Sequence, residues 1–435
     1  MELSVFILLA VFVALLLIHV PVSISIGVAT LAAMLVTIDF MPAVTTIAQR
    51  MGGGIDSFAL LAIPFFVLSG LLMGRGGIAH RLIEFAKVLV GMLPGGLAFV
   101  NIISCTLFGA ISGSSVAATS AIGGFMIPTM EKEGYDRNFT AAITVTSSTT
   151  GLLIPPSNIL IVYSLASGGV SIAALFVAGY LPGLLVALGL MSVCAIYAKV
   201  NNYPVGRIPS PRELLVKTLD AIPSLFLIVL VIGGIVGGYF TATEASVIAV
   251  LYALILAMLV YRQVKISDLP EIFTKAVETT AIVMLLIGTS TAMSWMLSYE
   301  NIPQAISEAL LLLSDNPFII LLTINLILLA VGIFMDMTPA VLIFTPIFLP
   351  VAVQLGMSPL HFGIMMVLNL CIGLCTPPVG SVLFVGCSIA KTSITQLIRP
   401  LIPLYVAMFI ALLLVTFIPE LSEWLPIKTG LYEKN

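Results

Sequence analysis

Charge is what this sequence has least of: Lys, Arg, Asp and Glu make up 9% of its 435 residues, against 60% hydrophobic residues and a mean hydropathy of +1.21. A water-soluble chain of this length needs far more charge to cover its surface, so a soluble enzyme is excluded and an integral membrane protein indicated. The net charge of −3 gives no footing to nucleic acid as a partner. Histidine is equally scarce. His19, His80 and His361 are scattered, and no imidazole lies near the five cysteines, so no transition-metal site is expected. Cys371 and Cys375 share a helix face but lack further ligands, and read as small buried residues. Short alternating strands are missing too, which excludes an outer-membrane barrel. Without a P-loop or hydrolase motif no enzymatic activity is expected, and work across the membrane would draw on an ion gradient. The N-terminus has Glu2 where a signal peptide has basic residues, and no small-residue cleavage site, so it reads as a retained first helix.

What is present is a series of apolar runs long enough to cross about 30 Å of hydrocarbon, two of them interrupted at their middle. Ser147-Ser148-Thr149-Thr150-Gly151-Leu152-Leu153-Ile154-Pro155-Pro156-Ser157-Asn158 is the first interruption, and Gly373-Leu374-Cys375-Thr376-Pro377-Pro378-Val379-Gly380 the second. Adjacent prolines remove two backbone donors and push the preceding residue out of the helical region, so no continuous helix passes through. In lipid such a break survives only against protein or a polar cavity. Two further segments, about 97–130 and 318–353, carry small or polar residues at their centres: Ser112-Gly113-Ser114-Ser115 in one, Asp336 and Thr338 in the other. Each is expected to be a re-entrant hairpin of two helices of about fifteen residues, entering to mid-depth and returning.

The expected fold is therefore an all-α polytopic membrane protein with an inverted-topology repeat, two re-entrant helical hairpins and two broken helices. Scaffold helices occupy 1–56, where Gly52-Gly53-Gly54 reads as a turn. The first repeat covers 57–198 with its broken helix at 138–165. Charged linkers and central scaffold helices fill 199–274, with Thr241 or Thr243 capping a helix. The second repeat covers 275–418 with its broken helix at 359–390, Lys391 to Arg399 reads as a linker, and 419–435 is a polar tail. One ungapped shift of 222 residues sets Gly151 on Gly373, Pro155 on Pro377, Pro156 on Pro378 and Pro128 on Pro350. Charge gives an independent check. With ten crossings, two hairpins and both termini outside, fourteen of the 17 Lys and Arg fall on the inner side, and only Arg50, Lys428 and Lys434 outside. The two hairpins then enter from opposite faces, the arrangement expected of a secondary transporter.

At mid-membrane this fold gathers hydroxyls and unpaired carbonyls: Ser112 to Ser115, Thr146 to Thr150, Ser157 and Asn158 from the first half, and Asp336, Thr338, Thr376 and Gly380 from the second. Such hard oxygen donors suit Na⁺, and open helix N-termini can receive an anionic solute. The plain alternative is that these small residues only pack helices closely. Taken one at a time that reading is the better one, but a duplicated set beside two double-proline breaks favours binding.

These residues resemble a known family. Phe108-Gly109-Ala110-Ile111-Ser112-Gly113-Ser114-Ser115, Gly151 through Asn158, Phe334-Met335-Asp336 and Thr376-Pro377-Pro378-Val379-Gly380 are similar to the large, DctM-like membrane subunit of tripartite ATP-independent periplasmic (TRAP) transporters, over essentially the whole chain. Ile159 to Gly169, with Ala178-Gly179-Tyr180-Leu181-Pro182-Gly183, looks most like the sialic acid branch. The resemblance implies a Na⁺-driven symporter of the bacterial inner membrane with an elevator motion. It implies a separate Q-type small membrane subunit, and a P-type periplasmic binding protein that delivers a carboxylate-bearing solute. It puts Na⁺ around Ser114, Ser115, Gly151 and Pro155 and around Gly332, Thr376, Pro377 and Gly380. Ser112, Thr149, Ser157, Asn158, Asp336 and Thr338 are left for the solute. The small subunit is not expected to be fused, since the chain begins at the large subunit's first helix. N-acetylneuraminate is the expected substrate, a C4-dicarboxylate or another organic acid the alternative, and a non-transporting membrane scaffold or insertion component the alternative class.

Overall fold

The computed structural model describes residues 2–314 and 316–433, apart from the side chains of Glu2 and Leu313. Lys434, counted above on the outer side, lies outside the described residues. The described residues hold helices and no strand, with one isolated bridge between Pro94 and Val205.

In chain order the first elements are α1 (Glu2–Leu17), α2 (Val22–Met34), α3 (Phe40–Ile55), α4 (Ala62–Arg75) and α5 (Ile78–Val90). Pro21 cannot extend α1 and stands instead at the N-cap of α2, which makes the first two helices a hairpin. The next group is α6 (Gly96–Ser112), α7 (Ser115–Lys132), α8 (Arg137–Thr150), α9 (Asn158–Ala166), α10 (Ile172–Ala178) and α11 (Tyr180–Val200). After α12 (Pro211–Val236), α13 (Ala242–Leu254), α14 (Leu269–Tyr299) and α15 (Ile302–Leu313), the pattern returns as α16 (Pro317–Phe334), α17 (Met337–Gln354), α18 (Pro359–Leu374) and α19 (Ser381–Ala390). The chain closes with α20 (Ile394–Phe417) and α21 (Glu420–Lys428).

Among the described residues, eight helical segments are long and apolar enough to cross a membrane. The broken helices are not among them, because their halves are short, and α8 is polar yet buried at every position from Phe139 to Thr150. The hairpin arms α6, α7, α16 and α17 have 17, 18, 18 and 18 residues. At 1.5 Å per residue each is about 27 Å long. That exceeds the fifteen residues expected, so an arm that stops at mid-depth must tilt or project beyond the bilayer at its base.

Several expected loops are helical. Gly52-Gly53-Gly54 belongs to α3, because the last of the three faces α14 so closely that a Cβ on Gly54 would lie 2.5 Å from Thr291 Oγ1. The linker after Lys199 ends at Ser210, whose hydroxyl caps α12 by accepting from the Glu213 N–H, with Pro211 opening the helix. The linker expected from Lys391 to Arg399 is likewise taken up by α20 from Ile394 on, the helix starting with a capping box between Ser393 and Gln396. Thr241, not Thr243, caps α13 through a capping box with Glu244, while Thr243 Oγ1 donates to the Phe58 carbonyl at 2.9 Å. The polar tail is the helix α21, and its Glu423 is buried and accepts a hydrogen bond from Ser358 Oγ at the start of α18.

The halves interlock. α6 packs on α8 and α16 on α18, hairpin arm against broken helix, while α9 leaves the first half to pack on α17 and α19 leaves the second to pack on α7. Around this centre α14 packs along α2, α3 and α4, α13 packs along α4, and α12 along α5. Between helices in lipid the gain is close packing rather than release of water, which is why glycines mark the tightest crossings.

Candidate ion and solute site

The first break starts after Thr150, where the Leu152 and Leu153 N–H groups donate to the Thr149 and Thr150 carbonyls at 3.0 and 3.2 Å. The hydroxyls of Thr146, Ser147, Ser148, Thr149 and Thr150 each donate to a carbonyl three or four residues back, at 2.6 to 2.9 Å. That satisfies the donors of a fully buried polar helix, and the oxygens keep lone pairs that can coordinate or accept, as Ser148 Oγ does from Thr119. Gly151 then presses on α6: a Cβ there would lie 2.4 Å from the Gly109 Cα. The chain continues through a cis Pro155-Pro156 bond, and Ser157 Oγ donates back to the Leu152 carbonyl at 2.5 Å before Asn158 opens α9.

The tip of the first hairpin meets this break. Gly113 takes φ 61°, a left-handed conformation that ends α6 and turns the chain into α7. Ser114 caps α7 by accepting from the Ala117 N–H at 3.2 Å, and Ser112 Oγ donates to the Ser114 carbonyl at 3.3 Å. Ser115 is buried in the first turn, and Thr119 Oγ1 ties α7 to α8 by donating to Ser148 Oγ at 2.7 Å. The Asn158 amide lies over Gly113, so close that a Cβ there would be 3.0 Å from Nδ2. Its Oδ1 is buried and has no hydrogen-bond donor. The N-termini of α7 and α9 thus converge around an acceptor oxygen without a donor, in a surround of hydroxyls and carbonyls. That is a donor set for a hard cation.

The second break repeats the crossing with less cover. A Cβ on Gly373 would lie 2.6 Å from the Gly332 Cα, and Gly332, an expected Na⁺ position, sits inside α16 at this contact. Thr376 Oγ1 donates to the Ile372 carbonyl at 2.7 Å, the Gly380 N–H donates to the Thr376 carbonyl at 3.2 Å, and Pro377-Pro378 is cis. Pro378 is exposed and Pro377 half-buried. Asp336 is the N-cap residue of α17 and is exposed, with Thr338 half-buried in the first turn after it. The expected residues therefore form two groups. Ser112, Ser114, Ser115, Gly151, Pro155, Ser157 and Asn158 belong to the first tip and break; Gly332, Thr376, Pro377 and Gly380 belong to the second crossing and break.

Thr149 lies between the groups. Cys371 donates its thiol to the Thr149 carbonyl at 3.3 Å, and the Cys375 sulfur is 3.7 Å from Thr149 Oγ1. Cys371 and Thr149 are 222 positions apart, so the two broken helices touch at places the sequence shift pairs with each other. Sequence reasoning missed two tyrosines. Tyr405 on α20 donates to the Cys375 carbonyl at the second break, and Tyr163 on α9 donates to the Pro359 carbonyl at 2.5 Å, joining the halves. Their partners lie 30 and 196 residues away, so no local pattern marks them.

This geometry defines a class first: a multi-pass α-helical membrane protein with two helix breaks braced by hairpins. The same fold occurs in the YdaH transporter of Alcanivorax borkumensis, at a TM-score of 0.64 and 13% identity over 91% of this chain and 90% of that one. Residues 9–421 match the family described as tripartite ATP-independent periplasmic transporter, DctM component, and the chain belongs to it as a large permease, a transport protein and not an enzyme. The uncharacterized protein YgiK of Salmonella typhimurium is 54% identical over 95% of each chain. The sialic acid TRAP transporter large permease SiaM of Vibrio cholerae is 41% identical, covering 87% of this chain and 88% of its own. The C4-dicarboxylate TRAP transporter large permease DctM of Pseudomonas aeruginosa is 40% identical, covering 91% and 93%.

Proposed function

We propose that this large permease is a sodium-coupled symporter of the bacterial inner membrane. It would import a carboxylate-bearing small molecule delivered by a P-type periplasmic binding protein, in complex with a separate Q-type small membrane subunit. The observation that carries the reading is the convergence at the first hairpin tip, where Asn158 Oδ1 is buried without a donor beside Ser112, Ser114 and Ser115. A cation of hard character supplies what that oxygen lacks, and Na⁺ matches an all-oxygen set. The N-termini of α7 and α9 at one break, and of α17 and α19 at the other, add positive potential for a solute carboxylate. Asp336 suits a cation better than an anion, so in this reading it acts on the ion side.

The interlocked hairpins and broken helices move as one body against α2, α3, α4 and α14, an elevator motion, with the first hairpin opening inward and the second outward. N-acetylneuraminate is the first substrate to test. A C4-dicarboxylate is the second reading, favoured by the DctM relative, whose identity to this chain is 40% against 41% for SiaM.

The test is uptake into liposomes holding this chain and its small partner, with binding protein outside and an inward Na⁺ gradient. Uptake of labelled N-acetylneuraminate that vanishes without Na⁺ or without binding protein is the expected result. Transport of succinate in its place, given a matching binding protein, would keep the mechanism and discard the sialic acid assignment. Uptake indifferent to Na⁺ would discard the coupling. Single cysteines at positions 132 and 207 are expected to label from the cytoplasm, and periplasmic labelling of both would overturn the inverted topology.

A further inference from the structure

Away from both breaks, α3 and α14 face the end of α9 and the middle of α17 across a cavity of about 560 Å³. That volume falls in the range of small-molecule sites. Its walls differ in chemistry. Gln49 and Arg50 on α3 and Thr291 and Ser294 on α14 form a polar wall, while Leu165 on α9 and Pro346 on α17 form an apolar one. Room for a solute beside Arg50 comes from Gly53, where a Cβ would find nothing within 4 Å.

Arg50 is the only charged residue among the lining residues, and the ion pairs of the described residues leave it out. Its guanidinium is instead held 5.2 Å from the centroid of the Trp295 ring. A cation–π contact orients the group and neutralises nothing, so the cavity keeps a full positive charge. The charge argument also puts Arg50 on the outer side, where basic residues are few, which makes a cation kept there conspicuous.

We infer that this cavity is an anion-binding vestibule that takes a small organic acid by its carboxylate on Arg50, before the acid reaches the breaks. Guanidinium and carboxylate pair through two parallel hydrogen bonds, the Gln49 amide and Ser294 hydroxyl can meet polar substituents, and the apolar wall can meet the carbon skeleton. One wall belongs to the proposed scaffold and the other to the proposed moving body, so the inference rests on the transport reading for its place in the cycle. Its ligand chemistry is independent of that reading.

The test uses the full chain with its small partner in nanodiscs, treated with phenylglyoxal. Adduct at Arg50 is read by peptide mass spectrometry, with N-acetylneuraminate, succinate, or the uncharged sugar N-acetylmannosamine present. One or both acids are expected to slow modification of Arg50, and the uncharged sugar to leave it unchanged. In uptake, Arg50→Gln is expected to raise KM by about tenfold with little change in kcat, the loss of one charge-assisted contact, and Arg50→Lys to fall between. Protection of Arg50 in a preparation whose uptake ignores Na⁺ would keep the vestibule and sink the symport reading. Na⁺-driven uptake with no protection by either acid, or equal protection by the uncharged sugar, would overturn the vestibule.

Discussion

At Gly151 the chain leaves its helix against Gly109, and beyond Gly373 it does so against Gly332, yet the two breaks end in different surroundings. From Gly151 to Ser157 every residue is buried except the half-buried Ile154, whereas Pro378 and Val379 of the second break are exposed, Val379 to 43%. The cover on the first comes from the start of α11. A Cβ on Gly179 would lie 1.9 Å from the Leu153 carbonyl, and one on Gly183 2.5 Å from the Ile154 side chain. The second break has Tyr405 as a brace on one carbonyl and stays open beyond it. The backbone crossing is thus the duplicated part of the architecture. Access is set separately in each half by what packs on top.

The largest effect is expected from filling the crossings themselves. Gly151→Ala and Gly373→Ala place a methyl carbon 2.4 and 2.6 Å from backbone atoms of the facing helix, so the helices must separate. Overpacking of this kind costs about 1–3 kcal/mol or more, and both variants should lose uptake and melt lower in detergent. The reciprocal changes Gly109→Ala and Gly332→Ala meet their nearest neighbours at 2.9 and 3.2 Å and should be milder, with Gly332→Ala the mildest. A Gly151→Ala protein that melts like the parent would break the claim that this crossing holds the first half together.

The difference in cover can be measured directly. All five native cysteines are buried, so replacing them to give a clean background is a matter of packing. On that background Val379→Cys should react with a water-soluble maleimide at least roughly tenfold faster than Ser157→Cys, since thiol reactivity follows exposure. Equal rates would mean that both breaks are open in solution. Smaller again, by the reading given to the two tips, is the response to Na⁺. Ser115→Ala and Thr376→Val each remove one hydroxyl, worth about 1.4 kcal/mol or tenfold in the Na⁺ needed for half-maximal uptake, with assembly intact. An unchanged Na⁺ titration for Ser115→Ala would remove that residue from the site.

How far the sequence carries this comparison depends on the range of the signal. The breaks were legible because two adjacent prolines act on their own backbone, and Gly113 because a small-polar cluster marks a tip. The helix starts at Ser210 and Ser393 had a local signal as well, Ser-x-x-Glu and Ser-x-x-Gln, which outweighs the charge of the residues around them. Gly52-Gly53-Gly54 misled because composition cannot say that a neighbouring helix will lean on the third glycine. The pairing of Cys371 with Thr149, the Tyr405 brace and the Arg50 cavity are contacts between distant segments. They exist only once the halves interlock.

The finest distinction between the halves is a single hydrogen bond. Thr119 donates to Ser148 at 2.7 Å where the first hairpin meets its broken helix, and the positions 222 residues on are the buried, apolar Val341 and Leu370. One half joins hairpin to helix with hydroxyls at this level; the other has only carbon there. Thr119→Val leaves Ser148 still donating to the Val145 carbonyl at 2.9 Å, so no donor is stranded and the cost should be about 1 kcal/mol. Ser148→Ala alone does not strand the Thr119 hydroxyl, because its single proton can turn to the Ser115 carbonyl at 2.8 Å. The double variant, which gives the first half the apolar chemistry of the second, should therefore cost less than the two single changes added, by roughly 0.5 kcal/mol in a thermal-melt cycle. Strict additivity would mean that the bond holds nothing, and that the hydroxyls of α8 are kept for what they face at the break.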